Sequence, residues 1–363
     1  MYTAAPTAEI NLNKLSQNWN LLRQNSSATI APVIKTNAYG FGTNPVSQTL
    51  HKQGARNFFV FSTSEALALR KKFPRTCIIL LGGLPHNTAR DLIANRLLPA
   101  ISTLAELEEW RNNAKKLNTQ LPLVLHFDTG LNRYALTPTE TKLITNNPDK
   151  YLANLAPALW MSHLMSSENP SDPANQLQKK RFETITRKLP PAPRSLANSC
   201  GIALGEKWHY DLARAGAALY GIEGPRGIQR VLRLRAPVMQ IKELRKGESI
   251  GYNALWLAPR KTRIATIALG YADGLARTTP PGTPLWCDNT PLPIRGRISM
   301  DMASVEINNA PQLQVGSLVD ILPPPAGATP TEIPPLAYTR TLTCEMGTRL
   351  RRVYRQNGKN RPQ

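Results

Sequence analysis

Cysteine and histidine are scarce in this sequence, with four of one and five of the other among 363 residues. Cys77, Cys200, Cys287 and Cys344 lie far apart without a Cys-x-x-Cys pair, and the histidines show no metal-ligand spacing. This spacing argues against a zinc site and against a disulfide framework, and the cysteines read as free thiols. No apolar run approaches the ~20 residues that span a bilayer. The opening "MYTAAPTAEINLNKLSQNWN" has neither the basic nor the apolar region of a secretory signal, so a cytoplasmic protein is expected. Acid is also in short supply, 24 Asp and Glu against 45 Lys and Arg, for a formal charge of +21. The excess is spread out: residues 223–363 hold 20 basic and 10 acidic side chains, and only the end, "TRLRRVYRQNGKNRPQ", lacks acid altogether. With no nucleic-acid motif and no aromatic-basic interleaving, the reading is a solvated basic surface that favours anionic ligands, with no nucleic acid or membrane as partner.

What is present is a recurring short apolar run. "APVIK", "FFVFS", "CIILLGG", "LLPAIS", "LVLHFD", "LWMSHL", "RSLANS" and "YDLARAG" punctuate the first 215 residues, and helically spaced segments such as "TLAELEEWRNNAKKL" separate most of them. Eight strands alternating with helices predict a (β/α)8 barrel over residues 1–222, within the α/β class. The last two helices are poorly marked, and Pro32 counts against a central strand in the first run. Leu12, Leu15, Trp19 and Leu22 define an amphipathic segment that closes the barrel's bottom or leads into it. After "LYGIEGPRG", alternating stretches broken by Gly and Pro predict a second, mainly β domain over 223–363, with "LPPPAGATPTEIPP" as a surface loop.

Strand ends carry chemistry in such a barrel. The polar residues there are Lys35 after the first strand, His126 and Arg133 after the fifth, His163 after the sixth, Ser199 after the seventh and Arg214 after the eighth. A lysine closing a buried strand either snorkels to water or is kept as a nucleophile toward carbonyls. The loops after strands seven and eight, "NSCG" and "RAGAALYG", occupy the usual phosphate position, where Ser199 offers a hydroxyl and Gly216 and Ala217 offer backbone donors. "RAG" alone is more often an ordinary turn. Combined with the lysine, it suggests pyridoxal 5'-phosphate held as a Schiff base.

The segments "VIKTNAYGFG", "HFDTGLNR", "SHLMSSENP", "LANSCGI", "DLARAGAALYG", "IGYNALW", "IALGYADG" and "GRISMD", in that order from 31 to about 302, resemble the alanine racemases, with a weaker match in "MGTRLRRVY". The resemblance implies a cofactor-binding barrel joined to a β domain, in a head-to-tail homodimer with shared active sites. It implies a two-base racemisation of alanine that supplies D-alanine for peptidoglycan. Lys35 holds the cofactor and serves one face of the α-carbon, while Tyr252 of the partner chain serves the other. Tyr39, Ser199, Gly216 and Ala217 match phosphate ligands. Arg214 matches the group facing the pyridine nitrogen, and His163 supports it. Arg133 matches the arginine that reaches the cofactor and the substrate carboxylate, Met300 offers its amide to that carboxylate, and Tyr271 with Glu168, Arg277, Arg297 and Asp301 lines the entry.

The sequence departs from the family pattern at three places. His126 stands where many members carry a lysine that becomes carbamylated, which leaves the anion beside Arg133 unassigned. Thr348 replaces a frequent tyrosine, and Asn253 follows Tyr252 where glycine is usual. Two other readings compete: a non-catalytic pyridoxal-phosphate-binding barrel, which would lack the β domain, and a fold-related amino-acid decarboxylase, which would place an acid where Arg214 stands.

Overall fold

The computed structural model of the chain describes residues 5–322, 342–347 and 349–362. Two compact units divide it: Ser16–Ala38 with Val46–Ile228, and the rest of the described chain.

The first unit is a (β/α)8 barrel. Its parallel strands are Thr29–Pro32, Asn57–Val60, Cys77–Leu80, Leu98–Ile101, Leu121–His126, Leu155–Met161, Arg194–Ser195 and Leu212–Ala215, one for each apolar run read from the sequence. The middle six form one sheet, and the last pairs with the first. Closure is completed by Ile34 N–H donating to Phe59 O at 2.9 Å and by Arg214 N–H donating to Ala197 O at 3.0 Å. Pro32 is tolerated because it ends its strand; the next ladder donor is Val33 N–H, 2.7 Å from Ala215 O.

Three of the helices start in the same way. Ser62 with Glu65, Thr103 with Glu106, and Thr137 with Glu140 each form a capping box, in which hydroxyl and carboxylate satisfy each other's backbone donors. The poorly marked helices are short: Ser199–Ala203 has five residues, and only the 3-10 turn Ala217–Tyr220 follows the last strand. Helix Leu12–Gln24 covers that side. Asn18 donates to Leu219 O at 3.0 Å, Trp19 donates to Gln53 O at 3.2 Å, and Leu15, Trp19 and Leu22 are buried.

The second unit is mainly β. Strand Leu232–Leu244 pairs antiparallel with Thr7–Asn11, Thr262–Ile267 and Leu318–Leu322, and Thr7–Asn11 runs parallel to Arg351–Gln356. Glu9, on the Thr7–Asn11 strand, is buried between Arg235 and Arg355. The barrel is expected over all of 1–222, whereas residues up to Leu15 and Tyr39–Pro45 group with the β unit. The backbone explains why: Tyr354 donates to Phe41 O at 3.1 Å and Arg352 to Gly40 O at 3.1 Å. A side chain at Gly40, whose φ is 84°, would run into the Thr343 carbonyl. The proline-rich stretch after Leu322 and Thr348 lie outside the described residues. Among the described residues no helix is long and apolar enough to cross a membrane.

Candidate active site

Lys35 opens an unusual turn. Thr36, Asn37, Ala38 and Tyr39 follow it with φ of 54°, 51°, 54° and 56°, one turn of left-handed helix built without glycine. Each such L-residue costs roughly 1–2 kcal/mol, so the turn must be held from outside. Glu65 does this: one carboxylate oxygen accepts Thr36 N–H at 2.6 Å, and the other accepts Phe61 and Ser62 N–H. Lys35 itself is half-buried, and near enough to His163 for its charge to oppose a second one there.

Arg214 is the most deeply buried cation at the strand ends, at 3% exposure. Its Nη1 donates to Ser195 O at 3.0 Å and to Ser195 Oγ at 2.5 Å; its Nη2 donates to Ser162 O at 2.5 Å and to Leu196 O at 3.3 Å. Among the described residues no carboxylate pairs with it. Burial pulls its pKa down to about 10, which leaves it cationic at neutral pH. The guanidinium also meets His163 Nδ1 at 3.3 Å. Burial first, and then the charges of Arg214 and Arg133, hold His163 well below the ordinary histidine range. A neutral ring that accepts through Nδ1 carries its proton on Nε2. His126, at the end of the fifth strand, is pushed down to about 3 by burial and by the same two arginines, and its Nδ1 has no hydrogen-bond partner among the described residues. His126, His163 and Arg133 line one small pocket of about 10 Å³, little more than room for a water molecule.

The phosphate position is preformed. Asn198 caps helix Ser199–Ala203 by accepting Gly201 N–H at 2.8 Å, and buried Ser199 Oγ accepts Gly216 N–H at 3.0 Å and Ala218 N–H at 3.1 Å. Ala217, 5% exposed, has an N–H with no acceptor among the described residues. A buried orphan donor flanked by a hydroxyl suits an anionic oxygen.

Lys35, Arg133, His163, Ser199, Arg214, Gly216 and Ala217 thus belong to the barrel unit, while Tyr39 begins the short segment assigned to the other. Glu168 is exposed on the loop after the sixth strand. In the β unit Tyr252 is 60% exposed, Met300 53% and Tyr271 37%, and Arg277 and Arg297 are also exposed. Tyr271 N–H donates to Ser299 O and Ala272 N–H to Met300 O, which ties Tyr271 to the "RISMD" turn. Asp301 is engaged by Arg349, whose guanidinium also grips fully buried Asp273 with two bonds of 2.6 Å. Sequence reasoning missed Ser162 and Ser195, although both sit at strand ends in "LWMSHL" and "RSLANS". It also missed Glu65 and Glu106, which the Ser/Thr-x-x-Glu spacing after a strand identifies.

The family model "Alanine racemase, N-terminal domain" matches residues 10–224, and "Alanine racemase, C-terminal domain" matches 231–354. The chain belongs to the alanine racemase family. It is 34% identical over 354 residues to an alanine racemase of Acidiphilium cryptum, covering 96% of this chain and 98% of the relative. To one of a Methylobacterium species it is 36% identical over 307 residues, covering 83% and 84%. A crystal structure of alanine racemase from Bartonella henselae with covalently bound pyridoxal phosphate superposes with a TM-score of 0.90 at 29% identity, covering 97% of this chain and all of that one. A biosynthetic alanine racemase from Pseudomonas aeruginosa gives 0.88 at 27%, covering 98% and 100%.

Within the alanine racemase family pattern, the departure at Asn253 has a local cause. Its φ is 61°, a left-handed conformation that asparagine tolerates better than other side chains, so the turn keeps the shape that glycine usually supplies.

Proposed function

We propose that this chain interconverts L- and D-alanine with pyridoxal 5'-phosphate. The observation that carries the reading is Arg214, a guanidinium buried at the strand ends of a family member and bonded there to carbonyls, a hydroxyl and a neutral imidazole. The cofactor, when bound, withdraws electrons from the α-carbon of an attached amino acid and so makes its proton acidic. Lys35 anchors the cofactor and exchanges a proton on one face of that carbon. Tyr252 exchanges a proton on the other; its 60% exposure in a single chain suits a residue presented to a second copy. Removal on one face and return on the opposite face constitute racemisation. With the cofactor bound, Arg214 would offer a hydrogen bond to the ring nitrogen while keeping its own proton, which would leave that nitrogen unprotonated and favour return of the proton to the α-carbon. A decarboxylase or transaminase needs an acid there. His163, with its proton on Nε2, supports Arg214 on one side and offers a donor on the other.

Ser199, Gly216, Ala217 and Tyr39 hold the phosphate. Arg133 and the Met300 amide take the substrate carboxylate, and Tyr271, Glu168, Arg277, Arg297 and Asp301 line the entry. The active unit in this reading is a head-to-tail homodimer in the cytoplasm, supplying D-alanine for peptidoglycan. The test is circular dichroism of L-alanine incubated with purified protein and cofactor. Decay of the signal to zero is expected; a signal that stays constant overturns the reading.

A further inference from the structure

Arg133 makes no hydrogen bond or ion pair of its own among the described residues, so its place depends on the loop that carries it. Leu136 N–H donates to His126 O at 2.8 Å and Asp128 N–H donates to Leu136 O at 3.0 Å, which closes residues 128–136 into a compact loop. The two halves of the loop are held differently. The first is fixed at Thr129, whose carbonyl accepts from Arg181 at 3.0 Å and whose hydroxyl meets Gln178 and Ser162 at 3.1 and 2.8 Å. In the second half, residues 131–135, the side-chain tether is the Tyr134 phenol, which donates a hydrogen bond to Glu106.

Glu106 is a firm anchor. It is 9% exposed, and its carboxylate already accepts Leu84 N–H at 2.9 Å, Ser102 N–H at 2.6 Å and Thr103 N–H at 3.2 Å from two neighbouring strand-end loops. Gly83 leaves room for the pair: a Cβ there would fall 2.4 Å from both Glu106 Oε1 and Tyr134 Oη. An acceptor saturated by backbone donors has one position, and the phenol bound to it inherits that position.

We propose that Tyr134, clamped on Glu106, is a positioning residue that fixes Arg133 for recognition of the substrate carboxylate. The inference rests on the carboxylate-binding role given to Arg133 above. Without the clamp, Arg133 samples many arrangements, and each binding event must order it again. The loss therefore falls on binding rather than on proton transfer.

A double-mutant cycle on the reconstituted holoenzyme tests this, with KM and kcat for L-alanine and the inhibition constant of propionate, a carboxylate without an amine, as readouts. Tyr134→Phe keeps the ring and removes the oxygen. It is expected to raise KM and the propionate constant about tenfold, with kcat changed less than about threefold. In an Arg133→Ala background the same change is expected to have no further effect. If Arg133→Ala weakens propionate while Tyr134→Phe does not, or if the two losses multiply, the clamp is wrong and the role of Arg133 stands. Should Arg133→Ala leave propionate binding unaltered, both fall together.

Discussion

The two units keep their site residues in opposite conditions. In the barrel, Arg214 and Ser199 are buried and already hydrogen-bonded, His163 is neutral, and the turn after Lys35 is held by Glu65. In the β unit Tyr252 and Met300 stand largely in solvent and Tyr271 is partly exposed, although the backbone of Tyr271 and Met300 is bonded. A cofactor site has to be ready before its ligand arrives, because ordering it afterwards would subtract from affinity. A side chain meant for another chain's site has to project. In the proposed homodimer, the contrast would separate what one chain supplies to itself from what it supplies to a second copy.

The largest expected effect breaks that contrast directly. Lys35→Ala and Tyr252→Phe homodimers should each lose about 100- to 10,000-fold in racemase activity. Mixed under subunit exchange, half of the dimers carry both variants, and each of these has one intact site, so about a quarter of wild-type activity should return. No recovery, with heterodimers confirmed by mass, would place Lys35 and Tyr252 of one site on the same chain.

Next comes the electronic role of the barrel's buried cation. Arg214→Glu should lower racemisation on the order of 100-fold and raise the pyruvate formed per racemisation event in the presence of alanine. An unchanged ratio of pyruvate to racemised alanine removes the argument for a non-protonating partner.

A smaller effect sharpens the contrast through pH. His126 is neutral in the fold down to about pH 3, whereas the unfolded chain protonates it near the ordinary value of 6.5. Below 6.5 the unfolded state binds the extra proton, so the stability from this residue is complete above pH 6.5 and is lost as pH falls toward 3. At pH 5.5 the loss is about 1.4 kcal/mol. His126→Asn should flatten this part of a stability-against-pH curve measured by denaturant titration. An unchanged slope would show that other groups set it. The smallest effect is none at all: with no lysine at position 126 to carbamylate, added bicarbonate should leave activity unchanged.

Much of the barrel was legible because a parallel strand buried on both faces is a run of apolar residues, and such runs survive as local pattern. The site was legible where strand ends concentrate chemistry, as at Lys35, Arg214 and Ser199. Residues 7–11 were not read as a strand of the second unit, because their partners lie at 232–235 and 351–355 and no local pattern records so distant a pairing. The left-handed turn was hidden for a different reason. Thr36 and Ala38 carry no preference for that conformation, which is imposed by Glu65 from 29 residues away. The Tyr134–Glu106 pair, 28 residues apart, was invisible on the same grounds.

The strand Thr7–Asn11 also has a consequence in time. It lies between Leu232–Leu244 and Arg351–Gln356, so during synthesis its parallel partner emerges from the ribosome more than three hundred residues after it does. At about 5–20 residues per second that interval is roughly 20–70 s. The barrel strands, all made between residues 29 and 215, can pair well within that wait. The edge of Thr7–Asn11 that Arg351–Gln356 later covers stays exposed throughout it, which makes this strand the place where a nascent chain needs shielding from its neighbours on the same message.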